Sequence, residues 1–269
     1  MSNLKDAGAN LLNSIADNAE IVKDVYDEGL KPTVQQAGKI LSFPLELINS
    51  LLVRPRIWIT NANFKLQETN ILIAKKLENI SADEIKAPED YIAVPALQAL
   101  SYSMDSNELR NMYANLLAKS MYTKTADKVH PAYVDIIRQL SPMDVKVLEY
   151  IASNEYEIAI KKVRLENIST TGGIDFLSIA TSIQFAEAYE VAYSFDNLLR
   201  LGLIELGDEF IDEIYYEEID NNPMSQKFYK EAEKRITDSN CEKLIFKKES
   251  MDMTVLGRRF YEICNEDIE

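Results

Sequence analysis

The chain has 269 residues, 46% hydrophobic and 27% charged, which is enough apolar material for one large or two ordinary domains and excludes a disordered chain. A net charge of −15 disfavours nonspecific binding to a phosphate backbone, and two cysteines, Cys241 and Cys264, are too few for a disulfide framework or a cysteine-based zinc site. Only 8 Gly and 8 Pro favour helices over a turn-rich all-β fold. The charge is uneven. Residues 141–269 hold 27 acidic and 14 basic side chains, a balance of −13, against 17 and 15, a balance of −2, in residues 1–140.

From the N-terminus, Met1-Ser-Asn-Leu-Lys-Asp lacks the basic start and apolar run of a signal peptide, so a cytoplasmic chain with reduced thiols is expected. Leu4, Leu11, Ile15, Val22 and Tyr26 recur at helical spacing through residues 4–30, and Pro32 ends or kinks that helix. Residues 40–59 are the most apolar stretch, but Glu46, Arg54, Pro55 and Arg56 interrupt it and exclude a comfortable membrane span. With Trp58 beside the two arginines, the segment reads as a buried helical hairpin or an interfacial helix. Leu66, Ile73, Leu77 and Ile80 predict a core-facing helix over residues 64–80.

The densest signal lies between Tyr91 and Ala152. Ile92, Ala96, Ala99 and Leu100 share one helical face, with Pro95 tolerated in the first turn. Asp105 and Glu108 read as a capping box for a helix carrying Leu109, Met112, Tyr113, Leu116, Leu117 and Met121, with Ala114 and Ala118 allowing close packing. His130-Pro131 starts a third helix. Ser141-Pro142-Met-Asp144 starts a fourth, with Ser as cap, Pro at the first helical position and an acid at the third.

Beyond Ala152 the texture changes. Residues 156–163 favour a strand, residues 178–201 a helix stopped by Gly202, and Leu203–Leu206 a strand directly after it. Asn222-Pro223 opens an inserted helix through Phe228, Ala232 and Ile236. Leu244–Phe246 and Met251–Met253 read as two short wing strands, and Thr254 begins a closing helix with Leu256, Phe260 and Ile263 inward. The expected fold is mainly α: a multi-helix N-terminal domain over 1–140 and a winged-helix-like α+β domain over 141–269, with the inserted helix near 223–236.

Several ordered motifs carry a family resemblance. They are Tyr26-Asp27, Leu30-Lys-Pro32, Gly38, Tyr91-Ile-Ala-Val-Pro-Ala96, Leu109-Arg-Asn-Met-Tyr-Ala-Asn-Leu-Leu-Ala118, Ser120-Met121, His130-Pro131, Ile136-Ile137 and Gln139-Leu-Ser-Pro142. With these the sequence resembles the Abi-alpha (abortive infection alpha) family, bacterial domains associated with phage defence. The resemblance covers roughly residues 20–150 and continues more weakly to the Gly257 helix. It implies a role in phage defence without specifying a reaction.

Candidate chemistry is sparse. His130 is the sole histidine, so a nucleophile–histidine mechanism would need it as base, and neither cysteine is near it in sequence. Arg110, Asn115 and Asp135 would complete a small polar pocket with His130; the alternative is a helix cap, an interhelical hydrogen bond and exposed charge. Eight acids without a base, Glu205, Asp208, Glu209, Asp212, Glu213, Glu217, Glu218 and Asp220, form either a solvated wing or hairpin or a surface for a basic partner. Their spacing is not that of an EF-hand loop. The helix that would read DNA offers Glu187, Glu190 and Asp196 against Arg200, whereas Lys243, Lys247, Lys248, Arg258 and Arg259 would make a small basic patch.

These features lead to the expectation of a phage-defence protein working through interaction with a phage or host protein. A membrane-perturbing effector using residues 40–59, with Arg54, Arg56 and Trp58 as contacts, and a divergent enzyme centred on His130 are the alternatives. No cofactor or metal is expected, nucleic acid is disfavoured as a partner, and homo-oligomer formation stays open.

Overall fold

A computed structural model describes residues 69, 71–100, 105–154, 156–167, 172–175, 180–209, 212–238 and 243–268. The expected helix over 4–30 and the apolar segment 40–59, with Arg54, Arg56 and Trp58, lie outside the described residues. The chain is mostly helical with a small antiparallel sheet. Residues 71–76 are helical and Ile73, Leu77 and Ile80 are buried. They lead through a short 3-10 turn at Ala82–Glu84 into α1 (Asp90–Leu100) and α2 (Asn107–Met121). Next come α3 (Ala132–Arg138) and α4 (Pro142–Ser153), then β1 (Ile158–Glu166), β2 (Gly173–Asp175), α5 (Ala188–Arg200) and β3 (Ile204–Gly207). The chain finishes with α6 (Ile214–Asn221), α7 (Pro223–Asp238), β4 (Lys243–Met253) and α8 (Val255–Cys264).

Local chemistry sets these boundaries. The cap of α2 is Ser106 rather than Asp105: its Oγ accepts from Leu109 N at 3.2 Å. The α4 box is as expected from its sequence, with Asp144 N donating to Ser141 Oγ (3.2 Å) and Ser141 N donating to Asp144 Oδ2 (2.7 Å). Pro95 sits six residues into α1 instead of in its first turn, where it has no N–H for the Tyr91 carbonyl. The helix expected from residue 178 begins only at Ala188. Ala180 instead exchanges backbone hydrogen bonds with Lys161, and Asn222 Nδ2 donates to the carbonyls of Thr181 and Ile183.

The sheet order is β2-β1-β4-β3, antiparallel throughout. The two short strands expected at 244–246 and 251–253 are one continuous strand, because Lys247, Lys248 and Glu249 between them pair with Lys162, Lys161 and Ile160 of β1. Side chains on β1 alternate. Ile158 and Ile160 join the main core, while Val163 and Leu165 belong to a second cluster with Tyr216 and Ile219 of α6 and Phe228 and Ala232 of α7. The sheet therefore has the main helices on one face and the α6–α7 insert on the other.

The main core runs without a break from Ile73 to Cys264, on both sides of residue 140. Helix α8 lies on α2. Asn115 Nδ2 donates to the Cys264 carbonyl at 3.0 Å and Lys119 Nζ donates to the Glu262 carbonyl, so two buried α2 side chains satisfy carbonyls at the α8 C-terminus that the helix itself leaves open. Burial holds the Lys119 ammonium below its ordinary value, against the opposing pull of Glu266 and Glu262, and raises the buried Cys264 thiol well above its own. In α8, Thr254 Oγ1 accepts from Gly257 N at 2.9 Å, and Phe260 and Ile263 point inward. Leu256 does not: it is 42% exposed. The inward position is taken by Gly257, where a Cβ would lie 1.8 Å from the Leu203 carbonyl oxygen. Gly202, whose φ is positive (69°), makes the turn just before Leu203.

Candidate interaction surface

The acidic segment 205–220 includes a helix, where a solvated wing or hairpin was one expectation. Helix α6 forms because Tyr216 and Ile219, one helical turn apart, are buried against the sheet. Asp212 Oδ1 accepts from Ile214 N at 3.1 Å at its start. The Tyr216 hydroxyl donates to the Glu249 carbonyl at 3.2 Å. Its ring lies 5.9 Å from Lys161 Nζ and 5.2 Å from Lys248 Nζ.

Three of the acids hold α6 and its approach on the sheet. Asp220 takes the buried Lys161 ammonium with both oxygens, at 2.7 and 2.6 Å, and accepts from the Tyr229 hydroxyl at 3.3 Å. Tyr229 is pushed up by burial and then by that carboxylate. Glu213 pairs with Lys248, and Glu209 stands 3.8 Å from the same ammonium. These contacts answer a built-in repulsion: Lys161 lies directly opposite Lys248 and Lys162 directly opposite Lys247 in the β1–β4 ladder. On the other face the buried Glu249 takes Lys162 at 2.9 Å and Lys247. Burial alone would raise its carboxyl, but the Lys247 and Lys162 ammoniums outweigh burial and hold it below the ordinary value. A depression of about 410 Å³, lined by Gly207, Asp208, Glu209 and Phe246–Glu249, lies where β3 stops short beside β4.

The outer side of α6 is different. Glu217 and Glu218 are exposed next to Ile214, 55% exposed, and Tyr215, 48% exposed. Glu205 is exposed on β3 opposite Asp252. Sequence reasoning marked the acids but missed Ile214, Tyr215, Lys161 and Glu249. The i, i+3 pair Tyr216 and Ile219 inside the run was the signal for a half-buried helix.

The four residues of the expected polar pocket find different partners. The Arg110 guanidinium bonds Asn107 Oδ1 at the start of α2, and Asn115 is buried against α8. Exposed His130 caps α3, its Nδ1 accepting from Ala132 N at 3.1 Å. Asp135 pairs with Arg138 at 3.0 Å on the exposed side of α3. The basic patch does not assemble as one unit. Lys247 and Lys248 point to opposite faces, and Arg258 and Arg259 pair with Asp252 and Glu262. Among the described residues no group of three or more His, Cys, Asp or Glu is arranged to hold a metal ion, and no helix is long and apolar enough to cross a membrane.

The fold and this surface define a mainly helical protein with a small antiparallel sheet, presenting an acidic and partly apolar helix to its surroundings. The chain belongs to the abortive infection alpha family, which it matches over residues 61–264. Membership points to a role related to abortive infection. No curated protein matches the sequence. Among solved structures, an uncharacterized protein from the hydrocarbon-degrading marine bacterium Alcanivorax borkumensis SK2 is similar at 17% identity, with 51% of this chain and 96% of that chain covered and a TM-score of 0.36.

Proposed function

We propose that the chain acts in abortive infection as a protein-interaction module, with the outer side of α6 as its contact surface for a phage or host protein. The carrying observation is the exposure of Ile214 and Tyr215 beside Glu217 and Glu218 on a helix whose inner side is fastened to the sheet. An aromatic and an aliphatic side chain on a rigid support, rimmed by acids, suit a partner with a basic rim and an apolar centre.

The C-terminal part is read as winged-helix-like. In support, α5 runs directly into β3, β3 pairs with β4, and β4 pairs with β1, while α6 and α7 stand between β3 and β4 in the place of a wing. Use of this part against protein rather than nucleic acid is supported by the helix that would face a groove. Around α5, Glu187, Glu190 and Asp196 outnumber Arg200, whose guanidinium is engaged by Asn197 and by Gln139 at 3.0 Å.

Co-purification from phage-infected cells tests the reading, comparing wild type with Tyr215→Ala/Glu217→Lys/Glu218→Lys. These side chains are exposed, so the variant keeps its fold by circular dichroism. A partner held by wild type and lost from the variant is the expected result; identical capture by both counts against α6 as the surface.

A further inference from the structure

Strand β4 runs from Lys243 to Met253, but β3 covers only Ser250–Met253. Along Lys243–Glu249 no strand among the described residues pairs with the edge of β4 that faces away from β1. The ladder shows which main-chain groups face that edge. Lys161 exchanges its N–H and C=O with Ala180, on the side away from β4. Lys161 and Lys248 are therefore a non-hydrogen-bonded pair, and the N–H and C=O of Lys248 point away from β1. By alternation, those of Phe246 and Leu244 do the same. The bond from Thr254 N to the Leu203 carbonyl, 3.0 Å, has the phase this alternation requires on the β3 side.

We infer that this edge pairs with the same edge of a second copy of the chain, antiparallel, with the two-fold axis at Phe246. Only registers that set outward-facing residues against outward-facing residues can form hydrogen bonds, so every odd shift is excluded. Of the near in-phase registers, one sets Lys243 against Lys247 of the other copy, and another sets Lys247 against itself. Both are penalised as directly opposed like charges. The register centred on Phe246 uses the whole stretch that no described strand covers and places Lys243 opposite Glu249 of the second copy, twice by symmetry. It also joins the two Phe246 rings. Leu244, Phe246 and Lys248 then form three hydrogen-bonded pairs across the axis. Phe246 is 40% exposed and already lies 4.7 Å from the Tyr229 ring, so an aromatic cluster stands ready at the axis. Edge lysines ordinarily block strand addition; here their positions spare one register of the same strand. The contact is isologous and closes as a dimer.

Sedimentation of the full chain tests this directly. Wild type sediments as a dimer at high micromolar concentration. Phe246→Pro removes an outward N–H that the β1 ladder does not use, and the mass falls to that of one chain with the helical spectrum unchanged. Lys243→Glu, at an exposed position, weakens the dimer tenfold or more. In a Cys241→Ser background, oxidised Phe246→Cys becomes a covalent dimer, because paired Cα atoms about 5.5 Å apart are within disulfide reach; Lys243→Cys does not. A monomeric wild type, including one that takes up an extended segment of another protein at this edge, overturns the proposal. So does a dimer untouched by Phe246→Pro and Lys243→Glu.

Discussion

Glu249 balances the sheet's charge at the position where it is hardest to do so. Lys162 and Lys247 face each other across the ladder, and one buried carboxylate serves both. Because its folded value lies below the ordinary 4.5, its contribution to stability is fully present above that pH and is lost as pH falls through the lower folded value. Glu249→Gln is expected to cost about 1–3 kcal/mol near neutrality. The difference from wild type should shrink in acid, as the pH falls below 4.5 and the wild-type carboxyl takes up its own proton; urea unfolding at neutral pH and across that acid range reads both effects. Gly257 carries a steric constraint. Gly257→Ala drives a methyl into the Leu203 carbonyl, and chemical denaturation should show a loss of at least about 2 kcal/mol. Neither residue's role was legible in the sequence. Glu249 falls between the two short strands expected there and Gly257 within the closing helix, and the role of each depends on contacts with chain far away in sequence. The interhelical bond of Asn115 was foreseeable in kind, since a polar residue inside an apolar helical stripe must find a partner. Its partner, the Cys264 carbonyl, was not.

Among the elements, helix ends written in short-range chemistry could be read. Ser141, Pro142 and Asp144 fix the start of α4, and Thr254 caps α8 where expected. The cap of α4 also has a tertiary partner: Asn197 Nδ2 of α5 donates to Asp144 Oδ2 at 3.0 Å and to the Gln139 carbonyl at 2.9 Å. Ser141→Ala should therefore cost about 1 kcal/mol, the ordinary value of a cap, and Asp144→Ala measurably more, because it also cuts the bond to α5. Thermal unfolding of the two variants side by side separates the effects. Helix α6 was hidden because its acids dominate its composition while only Tyr216 and Ile219 face inward. The early part of the expected helix at 178–201 failed for the opposite reason. Its local pattern is helical, but Ala180 is claimed by Lys161 and the carbonyls of Thr181 and Ile183 by Asn222. Tertiary partners overrode local preference at both sites.

Across the whole molecule, the core joins the first helices to the last. Cys264, at the end of α8, is buried against α2, with a thiol whose ionisation burial opposes. Alkylation of Cys264 in a Cys241→Ser background should therefore wait for global unfolding and follow the same urea dependence as the loss of helical signal. Modification well before that transition would mean that α8 detaches by itself. The mainly helical class and the small sheet were evident from composition and periodicity; the wrapping of the last helix onto the second was not, since nothing local encodes a contact between residues 115 and 264.

On the reading proposed above, protection against phage depends on the acidic outer side of α6 and not on the single imidazole, His130. Phage plating efficiency on cells carrying wild type, Tyr215→Ala/Glu217→Lys/Glu218→Lys, or His130→Ala, each checked for equal expression, measures this most directly. Wild type and His130→Ala are expected to protect equally and the α6 variant not to protect; protection kept by the α6 variant and abolished by His130→Ala would overturn the proposed role of α6.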